Sequence, residues 1–379
     1  MTRKPGDLAE ERLRRRRRRL VTASEIIDFL EYLAPPSLSV PEEPYGLQVG
    51  SPSAEIKTVV VAPMASFNAL STAASRKQVM LLTAAPLVTE PMMQIRRDNP
   101  IGAKLSYLME HRLNLYALAN SYAAAPGGFD DSLAEVLGLA ATSALKPTTY
   151  EPQFKISVFT PPNAVNAVLC AAAEAGAGRI GNYSYCSFQS EGKGTFMPRE
   201  GARPTVGTVG KLERVDEVRL ELLVSQRELQ GVIAAVLDAH PYEEVAYDVY
   251  AVKNPGLMYG RGRIGELPLK VALDTVLAQV QDALNVESVR CSHRPEFPIA
   301  SLAAASGISD GLFWQANRAG AGAFITGGAT LQDLMLADNS TTVVIDIGYA
   351  ASVAPGLRRL CAQLRNTFAS DGLEILYSA

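Results

Sequence analysis

The sequence predicts an α/β protein made of two α/β lobes with mixed, mostly parallel sheets, plus an inserted ferredoxin-like α+β domain. Apolar residues make up 47% of the 379 residues and charged residues 20%, so each domain can bury a core. Strand and helix patterns alternate near both ends of the chain, which is typical of parallel sheets covered by helices. The middle of the chain follows the order β-α-β-β-α-β.

The first lobe is predicted over residues 21–150. Its first helix has apolar residues at helical spacing, and Thr22 or Ser24 can cap it. The predicted elements are a helix over 25–33, a strand over 57–61, a helix over 67–77, a strand over 79–83, a helix over 101–111, a strand over 113–118 and a helix over 130–137.

The inserted domain is predicted over residues 151–253, and the second lobe over residues 254–379. In the insertion we predict strands at 155–160, around 183–188, at 219–224 and at 246–251, with helices over 164–175 and 227–239. In the second lobe we predict helices over 268–284, 311–318 and 355–368, with strands at 288–290, 300–304, 323–326 and 341–346. Two α/β segments that flank one insertion form the simplest architecture for this order.

A basic arm precedes the first lobe. Residues 1–20 hold nine basic and three acidic residues, and Arg14 to Arg19 are consecutive arginines. Because like charges repel, this run predicts a disordered arm. A salt-dependent contact of Arg14–Arg19 with nucleic acid or an anionic surface and a solvated tail without a partner both remain open.

Cysteine usage and hydropathy point to a cytoplasmic protein without a membrane span. The four cysteines form no C-x-x-C pair, which suits a reducing compartment better than a disulfide scaffold. No apolar run reaches the roughly 18 residues that cross a bilayer. The arginine run is followed by Ser24, Glu25 and Asp28 rather than by the apolar region of a signal peptide.

Several short stretches, in order along the chain, resemble landmarks of one family. They are residues 46–50 (Gly-Leu-Gln-Val-Gly), 124–128 (Ala-Ala-Pro-Gly-Gly), 324–327 (Phe-Ile-Thr-Gly) and 346–348 (Asp-Ile-Gly). They are similar to the Nif-three-like proteins, also called GTP cyclohydrolase type 2 homologues or dinuclear-metal-centre hexameric proteins. Residues 181–183, 186–188 and 240–248 resemble the PII/CutA-like insertion of the longer bacterial members. The resemblance implies a toroidal homohexamer with a two-metal site between the lobes.

The resemblance also identifies the positions at which relatives carry the metal-binding histidines and carboxylates. Here these positions hold Ala84, Ala85, Ala119, Ala123, Tyr349 and Val353. Alanine and valine have no lone pair, and tyrosine, with a reference pKa of about 10, is a poor ligand unless ionised. Two-metal sites need several imidazole or carboxylate ligands, and zinc needs about three. We therefore expect no bound metal, no other cofactor and no catalytic residue at this site. The expected function is that of a non-catalytic oligomeric binding or scaffold protein.

Two alternative functions stay open. In the first, the protein is a metal-independent or residual hydrolase of a nucleotide or pterin-like small molecule, with a polar cavity formed by Asn120, Tyr122, Gln332 and Asp333. In the second, the insertion senses a ligand through His240, Glu243 and Glu244, although this stretch also fits a hydrogen-bonded turn before a strand.

A formal dinucleotide-binding motif has the wrong context. Gly176, Gly178 and Gly181 match G-x-G-x-x-G, but they follow a predicted helix, whereas the fingerprint links a strand to a helix. We expect no dinucleotide site there.

Overall fold

The computed structural model describes residues 20–39, 43–202 and 205–379. Except for Leu20, the predicted basic arm lies outside these residues. The chain divides into two compact units. The first comprises the described residues up to Thr149 together with Tyr259–Ala379, and the second is Tyr150–Met258. None of the described helices is long and apolar enough to cross a membrane.

Strands and helices alternate along most of the described chain. The strands are β1 (Val21–Thr22), β2 (Gly46–Val49), β3 (Glu55–Ile56), β4 (Thr58–Ala62), β5 (Val79–Thr83), β6 (Asn114–Ala117), β7 (Ala140–Tyr150), β8 (Gln153–Thr160), β9 (Ser187–Phe196), β10 (Glu213–Ser225), β11 (Tyr247–Val252), β12 (Met258–Val271), β13 (Arg290–Cys291), β14 (Ile299–Ile308), β15 (Ala323–Gly328), β16 (Val343–Asp346) and β17 (Glu374–Tyr377). The α-helices are α1 (Ala23–Leu33), α2 (Phe67–Ala74), α3 (Pro100–Glu110), α4 (Ala119–Ala124), α5 (Phe129–Val136), α6 (Val165–Glu174), α7 (Leu229–Ala239), α8 (Leu273–Leu284), α9 (Leu312–Arg318), α10 (Leu331–Ala337) and α11 (Tyr349–Thr367).

The first sheet of unit one has the order β17-β4-β5-β6-β2. Its first four strands are parallel, and β2 runs antiparallel to β6. Strand β4 is buried along its whole length because helices cover both faces of the sheet. Val59 and Val61 pack in the core that contains α1 and α11, whereas Val60 packs in the core that contains α2 and α3.

The second sheet of unit one has the order β13-β16-β15-β14-β12-β7. Strands β14, β15 and β16 are parallel, and β12 runs antiparallel to β14. The side chains of β15 alternate between two cores, as the two-residue period of a strand requires. Ile325 packs in the core that contains α8, and Phe324 packs in the core that contains α9.

The inserted unit is a four-stranded antiparallel sheet with two helices. Its elements follow the order β8-α6-β9-β10-α7-β11, and its sheet has the order β11-β8-β10-β9. Apolar residues of both helices, such as Val168 and Val232, share one core with Ile156 and Leu220 of the sheet. This is the β-α-β-β-α-β arrangement that the sequence pattern indicated.

Two predicted helix starts in the second lobe are wrong. The helix predicted from residue 268 begins at Leu273, because residues up to Val271 continue the long strand β12. Pro268 lies where the register of β12 against β14 shifts, and proline is tolerated at such irregularities. The helix predicted from Pro355 begins at Tyr349, so the proline lies inside it.

A buried carboxylate joins three segments of the first unit. Asp130, near the start of α5, is completely buried. Its Oδ2 accepts hydrogen bonds from Arg261 Nε at 2.9 Å and from the backbone N–H of Gly262 at 2.6 Å, both on β12. Its Oδ1 accepts from the backbone N–H of Ser306 on β14 at 2.8 Å. The Ser306 hydroxyl donates to the same Oδ1 at 2.5 Å. All four hydrogen bonds therefore come from β12 or β14, which fixes α5 against the second sheet.

Glycines allow β12 to approach these partners. A Cβ at Gly260 would lie 2.5 Å from the backbone oxygen of Lys146 on β7. Gly262 has φ +65, a left-handed conformation that glycine adopts without strain, and its N–H points to Asp130. The two glycines of the Gly-Arg-Gly-Arg segment, residues 260–263, therefore let the β12 backbone come close to β7 and to Asp130.

We expect Asp130→Ala to destabilise the protein by about 3–5 kcal/mol, because it leaves the buried Arg261 guanidinium without its carboxylate. Thermal and denaturant unfolding of the full chain, followed by circular dichroism, measure this loss. The matched control is Asp98→Ala, which removes an exposed partner of Arg96 and should change stability little. Equal losses in the two variants would contradict the role assigned to Asp130.

Candidate functional site

The six positions at which the resemblance places metal ligands line one cavity of the first unit. This cavity has a volume of about 420 Å³. Its lining includes all six positions that the resemblance identified: Ala84, Ala85, Ala119, Ala123, Tyr349 and Val353. The remaining lining residues are Glu43, Pro86, Thr89, Asn120, Phe129, Ser306, Gly307, Ile308 and Asp310. Residues far apart in sequence therefore form one concave surface.

Strand ends and helix periodicity bring these positions together. Ala84 follows the end of β5, and Ala119 follows the end of the parallel neighbour β6. Ala123 lies one turn later in α4, on the same face as Ala119. Tyr349 and Val353 have the same spacing at the start of α11. Ligand sites of open α/β sheets lie beyond the carboxyl ends of parallel strands, so the location is that of a binding cleft.

The donor set of the cavity does not fit a two-metal centre. Five of the six positions carry hydrocarbon side chains, and burial raises the pKa of Tyr349 to about 12, which keeps its phenol protonated at neutral pH. Glu43 and Asp310 are the two carboxylates in the lining. Across residues 20–39, 43–202 and 205–379, no group of three or more histidine, cysteine, aspartate or glutamate side chains is placed to hold a metal ion.

Hydrogen bonds of Arg261 connect the cavity wall to the buried Asp130 carboxylate. Arg261 donates through Nη1 to Asn120 Oδ1 and through Nη2 to the backbone oxygen of Ser306 at 2.9 Å. The backbone N–H of Asn120 donates to Glu43 Oε1 at 3.0 Å. Asn120 is thereby held on both sides, by a guanidinium below the cavity and by a carboxylate in its lining.

The predicted polar cavity of Asn120, Tyr122, Gln332 and Asp333 is not assembled as one group, since only Asn120 belongs to the cavity lining. The hydroxyl of Tyr122 donates to Gln363 Oε1 at 3.3 Å, and its buried ring packs edge-on against Phe129. Gln332 is exposed on α10.

Asp333 instead has a structural role. Its side chain is buried and accepts hydrogen bonds from the backbone N–H and hydroxyl of Thr330. In return its own N–H donates to the Thr330 hydroxyl at 3.2 Å, which completes a capping box at the start of α10. Ser309 also donates to the same carboxylate. Three hydrogen bonds therefore converge on Oδ2 of this carboxylate, which holds the start of α10.

Sequence reasoning missed three residues that shape the cavity. Glu43, Arg261 and Ser306 belong to none of the sequence motifs, and Asp130 falls only at the start of the helix predicted over 130–137. The alternation Gly-Arg-Gly-Arg was the available signal, because glycines that bracket arginines indicate a backbone packed closely around charged side chains.

In the inserted unit, His240 serves the fold. Its Nδ1 accepts from the backbone N–H of Tyr242 at 3.1 Å, so Nε2 carries the proton and donates to the backbone oxygen of Phe159 at 3.1 Å. Burial lowers the pKa of the ring, which favours this neutral form. Glu243 and Glu244 line a separate cavity of about 410 Å³ together with Tyr242. The three predicted residues therefore do not converge on one site.

Known proteins resemble this chain along nearly its whole length. The "GTP cyclohydrolase 1 type 2 homolog" of Halalkalibacterium halodurans is 34% identical over 309 residues, which cover 82% of this chain and 83% of the relative. The protein of the same description from Mycobacterium tuberculosis is 32% identical over 361 residues, 93% of either chain. The crystal structure of a Bacillus cereus protein related to NIF3 superposes with a TM-score of 0.83 at 31% identity, covering 95% of this chain and 97% of that one.

A family model gives the same result. The model of Duf34/NIF3 (NGG1p interacting factor 3) matches residues 21–379, which include the five- and six-stranded sheets of the first unit and the whole inserted unit. The match leaves out only the basic arm. The chain therefore belongs to the Duf34/NIF3 family.

Proposed function

We propose that this protein is a Duf34/NIF3 family member that has lost the dinuclear metal site and acts as a non-catalytic oligomeric binding or scaffold protein. The observation that carries the proposal is the cavity at the ends of β5, β6 and β16. Positions that hold ligands in the relatives form its walls, and the side chains there offer hydrocarbon and one protonated phenol. Because these side chains do not bind metal ions, the cavity has no metal with which to activate water.

The backbone at Ala119 supports descent from a ligand-bearing site. Ala119 has φ +50, a left-handed conformation that costs an L-residue about 1–2 kcal/mol. Histidine, asparagine and aspartate are enriched in this region, whereas alanine gains nothing from it. The strained backbone thus fits the histidine that relatives carry here better than it fits alanine.

The core supports a stable metal-free state. Ala84, Ala123 and Val353 are almost completely buried and belong to the core that contains α1 and α11. Replacing ionised or polar ligands with apolar side chains removes the desolvation cost of burying them. The walls are then held by apolar packing, so the fold does not depend on an ion.

Both alternative functions have weaker support. A metal-independent hydrolase, such as one acting on the nucleotide in the relatives' name, needs a group whose pKa lies near the working pH, and the pKa of Tyr349 is far above it. Ligand sensing through the insertion loses His240, whose two ring nitrogens are engaged by the backbone. Glu243 and Glu244 keep that alternative open through their own cavity.

We expect the purified full chain to contain far less than one zinc, iron or manganese ion per protein, because the cavity lacks imidazole ligands. Inductively coupled plasma mass spectrometry, after expression in medium supplemented with all three metals, measures the content. Two stoichiometric ions per chain would refute the proposal.

Restoring the ligands should restore metal binding. The variant combines Ala84→His, Ala85→His, Ala119→His, Ala123→Asp, Tyr349→His and Val353→Glu. We expect it to gain close to two ions per chain in the same assay, since these side chains supply the donors that such sites need. The wild-type chain, prepared in parallel, is the control. A folded variant without metal would show that these positions were not the former ligand set.

We also propose the homohexamer that the resemblance implies. Exposed apolar side chains on α9 and α10, including Trp314, Leu331 and Met335, provide surface that an interface between copies would bury. Light scattering coupled to size exclusion should give six times the 40.6 kDa mass of the chain. A monomer would contradict the closed symmetry expected for such assemblies.

A further inference from the structure

We propose that the cavity between β9, β10 and the turn before β11 binds a small organic ammonium ion, a protonated amine carried on an apolar ring, with Glu217 as its counter-charge. All residues that line this cavity belong to the inserted unit. The inference therefore does not depend on whether the cavity of the first unit binds metal.

Glu217 carries a carboxylate without a partner. It lies half-buried on β10 and lines the cavity. Within residues 20–39, 43–202 and 205–379, no hydrogen bond or ion pair engages its side chain. Burial raises the pKa of this carboxyl group, because the ionised form loses water and gains no donor in exchange. A ligand ammonium would supply the missing partner through a charge-assisted hydrogen bond.

A glycine of the neighbouring strand makes room for this carboxylate. Glu217 lies opposite Gly192 in the register of β10 against β9. A Cβ at Gly194 would collide with Oε2 of Glu217, whereas a Cβ at Gly192 would meet no atom within 4 Å. The missing side chain at Gly194 thus gives the Glu217 carboxylate its place beside β9.

The ring of Tyr242 lies in the same cavity. Burial and the charge of Glu217 raise the pKa of its phenol, which keeps the ring neutral. His240 holds the ring in place, since its Nδ1 accepts from the backbone N–H of Tyr242 at 3.1 Å and the two rings pack edge-on with centroids 5.1 Å apart. The faces of aromatic rings attract cations. Tyr242 therefore favours the same ligand charge as Glu217.

The remaining walls suit the apolar part of such a ligand. Apolar side chains from the end of β9 and from the segments beyond it line the cavity: Phe196, Met197, Pro198, Val206 and Ala246. The volume of about 410 Å³ lies within the range of about 300–1,000 Å³ that small-molecule sites occupy. A one- or two-ring amine would bury its ring against these side chains.

Other charged residues of the lining contribute less to the choice of ligand. Arg199, Glu243 and Glu244 line the cavity, and all three are exposed. Water and salt screen exposed charges, so their interactions with a ligand are weak. The half-buried Glu217 is screened less, and the preference for a cation follows from it.

Three probes of similar size separate charge from apolar contact. Tryptamine ends in an ammonium group, tryptophol ends in a hydroxyl, and indole-3-propionate ends in a carboxylate. Ligand-observed NMR and calorimetry on the full chain should detect tryptamine. We expect tryptophol to bind about tenfold more weakly, because its contact with Glu217 lacks the ligand charge, and indole-3-propionate to show no binding.

Two pairs of variants locate the binding. Glu217→Gln should remove the preference for tryptamine over tryptophol, whereas Glu191→Gln, an exposed glutamate of β9 outside the cavity lining, should retain it. Gly194→Ala should weaken tryptamine binding about tenfold because the new methyl group displaces the Glu217 carboxylate. Gly192→Ala has open space for its methyl group and should bind tryptamine as the wild type does.

Circular dichroism checks that each variant is folded, and the glycine pair keeps the test decisive if Glu217→Gln does not fold. The expected order of probes together with selective losses in Glu217→Gln and Gly194→Ala supports the site. Absence of tryptamine binding, equal binding of tryptamine and tryptophol, or a preference for indole-3-propionate would overturn it. Equal losses in Gly194→Ala and Gly192→Ala would also overturn it. Metal content measured on the same sample tests the proposed function separately, because either result there is compatible with either result here.

Discussion

Asp130 accepts hydrogen bonds from β12 and β14, and the same Arg261 that binds it also holds Asn120 in the cavity wall. A fully buried carboxylate is costly to desolvate, so it persists only where several donors and an opposite charge surround it. The position of α5 against the second sheet follows from this requirement. The orientation of the one amide that lines the cavity follows from it as well, since Arg261 is anchored by Asp130.

The position of the cavity follows from the fold and not from the side chains that line it. Strand ends and the first turns of α4 and α11 place six positions around the cavity. Sheet order and helix periodicity set this arrangement, and neither depends on the side chains at those positions. Small apolar residues there leave the volume open and extend the buried core.

Polar residues that look alike in sequence have different roles in the structure. Asp333 and His240 were both candidate site residues in the sequence. In the structure Asp333 caps a helix, and His240 joins a turn to a neighbouring strand. Glu43, which no motif marked, lies in the cavity lining. Such assignments depend on which backbone groups come within hydrogen-bond distance, and a sequence read along one line does not contain those distances.

The sequence by itself determined the α/β class, the β-α-β-β-α-β order of the inserted unit and the family, because hydrophobic periodicity and short glycine motifs are local in the chain. It also identified the alanines, tyrosine and valine that stand where the resemblance places metal ligands. Strands β2, β7 and β17 carry no strong periodicity, and they form because neighbouring strands offer them hydrogen-bonding edges. The start of α8, the Asp130–Arg261 pair across 131 residues of sequence and the composition of the cavity lining were likewise decided only by tertiary structure. These features depend on contacts between segments that are distant in the chain, where burial and charge pairing outweigh local preference.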